Sequence, residues 1–342
     1  MKQISSRQFN WDVCGHDKIV HFLQSAILSG NLTQAYLFSG PSGLGKKFVA
    51  SKLIASILCQ NLEKPVPCGV CSSCQQVANG LHPDFYTVNQ EINEKTGKLS
   101  RGIIIDQIRN LKYKLQQGTL LNGYKVALIS DAHLMNLNTS NALLKILEEP
   151  TSNTVIILLA DDVSYLPQTI SSRCQIVRFL PVATSDIKSY LENRGVFDSG
   201  LIARQANGRP GVAIDLSNNK ELADGVKNNI DGFFKIIEAD LNSRFEIADK
   251  IISWDKDEYI NISSLNNLMH NWQLALRDVM LIKSDNEQLV SNINYLDKLK
   301  EQAEILDFLK IKTILRKINQ VDDYAKHNIN SKSILENLII NL

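Results

Sequence analysis

The 342-residue sequence has no apolar run near the roughly 18–20 residues that a membrane-spanning helix requires, so no such span is expected. Its first residues, Met1 to Asn10, are polar and lack the apolar centre of an export signal, which argues against secretion. Net charge is almost nil: 37 Lys and Arg against 36 Asp and Glu leave +1. A whole-molecule electrostatic pull toward DNA or an anionic membrane is therefore excluded, whereas a local basic patch is not. No internal repeat and no low-complexity tract is visible, which removes repeat arrays from consideration. Cysteine is scarce, at six, and in an unexported chain these thiols are not expected to form disulfides.

What is present describes an ordinary globular protein. Hydrophobic residues make up 44% and charged residues 21%, enough for real cores, and the length suggests two or three domains. An amphipathic helix is expected early, with Ile19, Phe22, Leu23, Ala26 and Ile27 on one face. Short strand-like runs follow at Ala35 to Phe38, Phe85 to Val88, Val126 to Ile129 (apolar with no alternation), Val155 to Leu159 and Gln175 to Leu180. Helical patterns fall between them, at Phe48 to Leu58, Ile104 to Leu115 (apolar at Ile104, Ile105, Ile108, Leu111 and Leu115) and Asn138 to Glu149, the last stopped by Pro150. Strands of this kind alternating with helices predict a doubly wound α/β domain on a parallel sheet. After Pro181 strand signals stop. Short helices are expected at Ser185 to Asn193 and Leu201 to Ala206, with a third opening at Gly208-Arg209-Pro210-Gly211. From about Glu221 onward everything reads helical. Leu265, Leu268, Trp272, Leu276 and Val279 line one face, and Ile334, Leu335, Leu338, Ile339 and Leu342 another, as bundle core.

Gly40-Pro41-Ser42-Gly43-Leu44-Gly45-Lys46-Lys47 lies between the first strand and a helix. Glycines let backbone N–H groups converge on anionic oxygens, and the helix N-terminus adds its positive end, so this is a phosphate cradle. The pattern G-x-x-x-x-G-K-[ST] is met at Gly40, Gly45 and Lys46 and fails at Lys47, where a hydroxyl would ligate Mg²⁺. The third strand is followed by Ser130 and Asp131, where an ATPase needs an acidic residue to hold the ion and a Glu to polarise water. Two departures on the same ion argue against Mg-ATP hydrolysis. Nucleotide binding through Gly40, Gly43, Gly45 and Lys46 stays open.

Four cysteines cluster as C-x8-C-x2-C-x2-C at Cys59, Cys68, Cys71 and Cys74, with Pro65, Pro67 and Gly69 supplying turns. That spacing predicts a closed tetrahedral site for structural Zn²⁺, an iron–sulfur cluster being the alternative. Cys14 and Cys174 read as small buried residues, and His82, beside Pro83-Asp84, as a loop hydrogen-bonder. Arg173, in Ser172-Arg173-Cys174, admits two readings: a surface ion pair, or a guanidinium reaching a neighbouring subunit's phosphate. Lys98, Arg101, Arg109, Lys112 and Lys114 could contact DNA phosphates, with a solvated helix face as the plainer reading.

Taken together, the stretches at 40–47 and 59–74, His82-Pro83-Asp84, Ile105-Asp106-Gln107-Ile108-Arg109, Ser130-Asp131-Ala132-His133, the run Asn141-Ala142-Leu143-Leu144-Lys145 through Glu148-Glu149-Pro150, and Ser172-Arg173-Cys174 resemble the bacterial DNA polymerase III clamp-loader family. The resemblance is close over 1–180 and looser beyond, where Asn328-Ile329-Asn330 also fits. Lys47 and Ser130 resemble the delta-prime branch more than the gamma/tau ATPases. Ala160-Asp161-Asp162 stands where those carry a Thr sensor, Pro210-Gly211 where they carry a lid Arg, and the length leaves no room for a tau tail.

The resemblance implies an AAA+ α/β domain at 1–180, a helical lid at 181–219 and a helical collar at 220–342. It further implies a cytoplasmic, non-hydrolysing stator in a hetero-pentamer with gamma/tau and delta subunits, which loads the sliding clamp onto primer-template DNA. Arg173 would serve in trans as an arginine finger. The competing readings are an active gamma/tau-type ATPase, and a zinc-containing nucleic-acid adaptor.

Overall fold

The computed structural model describes residues 8–61, 64–91, 100, 102–121, 123–149, 151–253, 262–326 and 331–340. Pro150, Asn328-Ile329-Asn330, Leu342, Lys98 and Arg101 lie outside them. The chain divides into two compact units, Met1–Ile187 with Gly208–Val212, and Lys188–Asn207 with Ala213–Leu342.

In the first unit the order is α1 (Asp17–Ser29), β1 (Ala35–Ser39), α2 (Lys46–Leu58), α3 (Ser72–Ala78), β2 (Phe85–Val88), α4 (Ile105–Gln116), β3 (Lys125–Ile129), α5 (Leu137–Glu148), β4 (Thr154–Ala160), α6 (Gln168–Ser171) and β5 (Gln175–Arg178). All strand pairs are parallel, in the order β2-β3-β4-β1-β5, and the central β1, β3 and β4 are buried along their whole length. Side chains of the central strands point alternately to two faces, and both are buried. Tyr36, Phe38, Val126, Leu128, Val155, Ile157 and Leu159 pack with Leu23 and Ile27 of α1 and Val49, Leu53 and Ile54 of α2. Their neighbours Ala35, Leu37, Ala127, Ile129, Ile156 and Leu158 meet Ile108, Leu111 and Leu115 of α4 and Leu143 and Ile146 of α5. This is the helix-covered α/β domain on a parallel sheet that the strand–helix alternation predicts.

Helix ends are set by particular side chains. Asn136 caps α5, its Oδ1 accepting the Thr139 N–H at 2.9 Å, an arrangement that contributes about 1 kcal/mol in typical helices. At the other end of α4, the buried Lys125 ammonium donates to the carbonyls of Leu115 and, at 2.7 Å, Gln117. Two residues assigned to apolar helix faces are exposed instead. Phe22 sits at the margin of the narrow stripe Leu23, Ala26 and Ile27. Ile104 is the extended N-cap of α4, so its side chain departs before the helical period begins, and Ile103 is buried in its place.

Beyond β5 come α7 (Thr184–Glu192), α8 (Ser199–Gln205), α9 (Pro210–Asn218), α10 (Lys220–Glu238), α11 (Leu241–Ser253), α12 (Ile262–Lys283), α13 (Leu296–Ile305), α14 (Phe308–Lys326) and α15 (Ser331–Ile340). The expected stripe of α12, with Ile334, Leu335, Leu338 and Ile339 of α15, lies in one core with Phe233, Phe234, Ile311 and Ile314. Within the second unit, the buried Asp278 carboxylate accepts N–H bonds from Ser291 and Asn292 and pins the turn after α12.

Candidate functional site: a closed phosphate loop, a cysteine knuckle and an outward arginine

The Gly-rich loop leaves the carboxyl end of β1, where ligands of parallel α/β sheets bind. Gly40 (φ +150°), Gly43 (φ +81°) and Gly45 (φ +87°) occupy backbone conformations that side chains disfavour. The loop is packed closed. Gly43 O accepts the Gly211 N–H at 2.8 Å, and a Cβ at Gly43 would come 2.7 Å from Val212. Lys46 turns back on its own chain. Its ammonium donates to Gly40 O, to Pro41 O at 3.2 Å and to Asp161 Oδ1 at 2.8 Å, and the side chain is 10% exposed. Three donors are thereby matched by three acceptors. Asp161 can reach it because β4 pairs with β1, Ala160 lying opposite Ser39.

His16 Nε2 lies 2.9 Å from Leu44 O and its ring meets Phe179 edge-on. Burial lowers the His16 pKa, so the neutral ring donates to that carbonyl. On the metal side, Lys47 carries no ligand atom. Ser130 follows β3 with a buried hydroxyl that has no protein partner among the described residues, and Asp131 is exposed in a left-handed turn.

The four knuckle sulfurs lie within 4.8 Å of one another, Cys68 and Cys74 at 3.9 Å. Tetrahedral zinc, with Zn–S near 2.3 Å, sets sulfurs about 3.8 Å apart, so the set needs only slight contraction. Backbone N–H groups of Cys71 and Cys74 point at Cys68 Sγ and Cys71 Sγ, both at 3.4 Å. Burial pushes the Cys59 and Cys74 thiols up. Burial acts the same way on Cys71, but N–H donors from Cys74 and Gln60 more than offset it and leave that thiol at about 6. The Val70 N–H lowers Cys68. Two thiolate-prone sulfurs beside two buried ones suit a dication, whose charge favours the thiolate form of all four. His82 lies outside the sulfur cluster, and its Nδ1 accepts the Asp84 N–H at 3.1 Å.

Arg173 follows the short turn of α6. Its Nη1 donates to Thr169 O at 3.0 Å and its Nη2 lies 2.8 Å from Glu148 Oε1. The basic face of α4 is partly committed, Arg109 pairing with Asp106 at 3.0 Å and Lys114 lying over the Tyr86 ring.

Residues 15–183 match the family model described as DNA polymerase III, delta subunit. The chain is 27% identical to the DNA polymerase III subunit delta' of Bacillus subtilis across 95% of both proteins. It is 43% identical to subunit delta' of Pseudomonas aeruginosa over 41% of each. These matches make the chain similar to clamp-loader delta-prime subunits. Delta-prime relatives are not alone: the DNA polymerase III subunit tau of Bacillus subtilis is 32% identical over 52% of this chain, 30% of its own length. The chain thus spans less than half of the Pseudomonas delta-prime and tau relatives, and nearly all of the Bacillus delta-prime.

Asp161 and Gly211 were visible in the sequence only as departures from an ATPase pattern, and their contacts with the loop emerge from strand pairing and chain return. Glu148 stood inside the Glu-Glu-Pro motif with no role attached. An acidic residue directly after a buried strand beside the loop strand was the available signal for Asp161.

Proposed function

We propose that this chain is the non-hydrolysing, delta-prime-type stator of a hetero-pentameric clamp loader, built with gamma- or tau-type ATPase subunits and a delta subunit. The assembly places a sliding clamp on primer-template DNA, and Arg173 serves in trans, meeting the γ-phosphate held by a neighbouring ATPase. The observation that carries this reading is the contrast between two cations. Lys46 is spent on Gly40, Pro41 and Asp161, whereas Arg173, at 39% exposure, sits outside the loop with N–H groups to spare. Cys59, Cys68, Cys71 and Cys74 hold a structural Zn²⁺ whose closed shell leaves no place for a reacting water. The division into an AAA+ domain (1–180), lid (181–219) and collar (220–342), and a cytoplasmic location, belong to the same reading. No described helix is long and apolar enough to cross a membrane.

The test is reconstitution with the ATPase and delta subunits of the same organism. Arg173→Ala is expected to leave the ring assembled and to depress DNA-stimulated ATP hydrolysis at the one site it serves, where arginine fingers contribute about 10³–10⁵ in rate. Unaltered hydrolysis and clamp loading by the variant ring would overturn the proposal. Mg-dependent turnover by the isolated chain, abolished by Lys46→Ala, would point instead to a gamma-type ATPase.

A further inference from the structure

We infer that Glu148 is the positioning residue for Arg173, orienting the guanidinium toward a neighbouring subunit's phosphate. This rests on the trans-arginine reading above and names the device that would make it efficient.

The guanidinium is tied at both terminal nitrogens, to acceptors on two different helices. Nη2 lies 2.8 Å from Oε1 of Glu148, the last residue of α5, and Nη1 donates at 3.0 Å to Thr169 O within α6. The two helices pack on one another, so both tethers are anchored in the same body. A planar fork held at two points has its plane fixed, and the rest of its five N–H groups stay available for an incoming anion. An untethered arginine would have to give up its rotamer freedom at each encounter, and ordering it beforehand moves that cost into folding.

The pair is poorly suited to any other task. With side-chain exposures of 39% for Arg173 and 48% for Glu148, it is solvated on both sides, and such pairs contribute little to fold stability. Nor is it arranged as a mask. A carboxylate blocking the finger would take both terminal nitrogens in the bidentate manner, whereas here one of them goes to a neutral carbonyl.

The experiment uses the complete ring, carrying this chain as wild type, Glu148→Ala, Glu148→Gln, Arg173→Ala or the double variant Glu148→Ala/Arg173→Ala. Assembly is checked by gel filtration, and kcat and KM for ATP are measured with primed DNA and clamp present. Glu148→Ala is expected to lower the Arg173-dependent part of kcat about three- to tenfold, the scale of partly freed arginine rotamers, with KM nearly unchanged. Glu148→Gln keeps an acceptor and should recover much of the rate. The double variant should be no slower than Arg173→Ala alone, because the carboxylate acts only through the arginine.

A raised kcat for Glu148→Ala would make the carboxylate a mask and overturn the inference. An unchanged kcat for Glu148→Ala beside a slow Arg173→Ala would also overturn it, while leaving the trans-arginine reading standing. If Arg173→Ala itself is neutral, both fall together.

Discussion

At the scale of single residues, His82 shows how a sequence motif can be structural. The ring is buried and its Nδ1 accepts the Asp84 N–H, while the Asp84 carboxylate takes the N–H groups of Leu120 and Leu121 at 2.9 and 3.0 Å. His82-Pro83-Asp84 therefore folds the approach to β2 and the loop before β3. Burial lowers the His82 pKa from 6.5, only partly opposed by the Asp84 charge. A base with a depressed folded pKa contributes its full stability above 6.5, and that contribution is lost as pH falls through the lower folded value. Asn at this position keeps an oxygen able to accept the same N–H, without titrating. The thermal midpoint of the wild type should therefore fall more steeply between about pH 7 and 5 than that of His82→Asn. Parallel slopes in differential scanning fluorimetry would assign the acid sensitivity elsewhere.

At the scale of elements, the knuckle is a metal-sized insertion between α2 and α3. It is stitched to the domain by Ser73 Oγ donating to Leu58 O at 2.6 Å and by a strand-like bridge between Phe9 and Val66. Its own apolar core is small, with Cys59, Val66 and Cys74 buried and Phe9 packed against them. Structural zinc supplies an apparent binding energy of about 10–16 kcal/mol in isolated zinc peptides, so metal and knuckle order should be coupled here. Chelation, or Cys74→Ser, is expected to release one equivalent of zinc and to speed amide exchange through α3 and the Phe9 bridge, while the sheet keeps its protection. Unchanged exchange in α3 after metal removal would show that the knuckle holds itself. Its spacing was legible because chelation needs four thiols at fixed separations. Its attachment through Ser73 was not, since a lone Ser reaching a helix-end carbonyl has no sequence signature.

At the scale of the whole molecule, the Gly-rich loop has become part of the packing. Lys46 bridges β1 to β4 through Asp161, and the start of α9 lies directly on Gly43. Lys46→Ala should cost the chain about 1 kcal/mol, the half-exposed Asp161 being screened by water, and should leave ATP hydrolysis by the assembled ring within about twofold of wild type. A collapse of hydrolysis comparable to that of Arg173→Ala would mean that this loop works on nucleotide after all. The central strands of the sheet were readable in advance, because strands buried on both faces lose polar alternation. Phe22 was misplaced because a helix face has margins that hydrophobicity alone does not reveal, and Ile104 because it precedes the helix as its extended N-cap.

The sequence by itself determined the strand–helix alternation, the thiol set, the missing Mg²⁺ ligands at Lys47 and Ser130, and the family likeness. Each is carried by residue types at short, fixed spacings. Only the tertiary structure decided the partners of the two cations. Asp161 meets Lys46 across 115 positions because β4 lies beside β1, and Glu148 meets Arg173 because α5 packs on α6. Such pairings depend on which strands and helices become neighbours, a choice made by packing the whole sheet and encoded in no single stretch of chain.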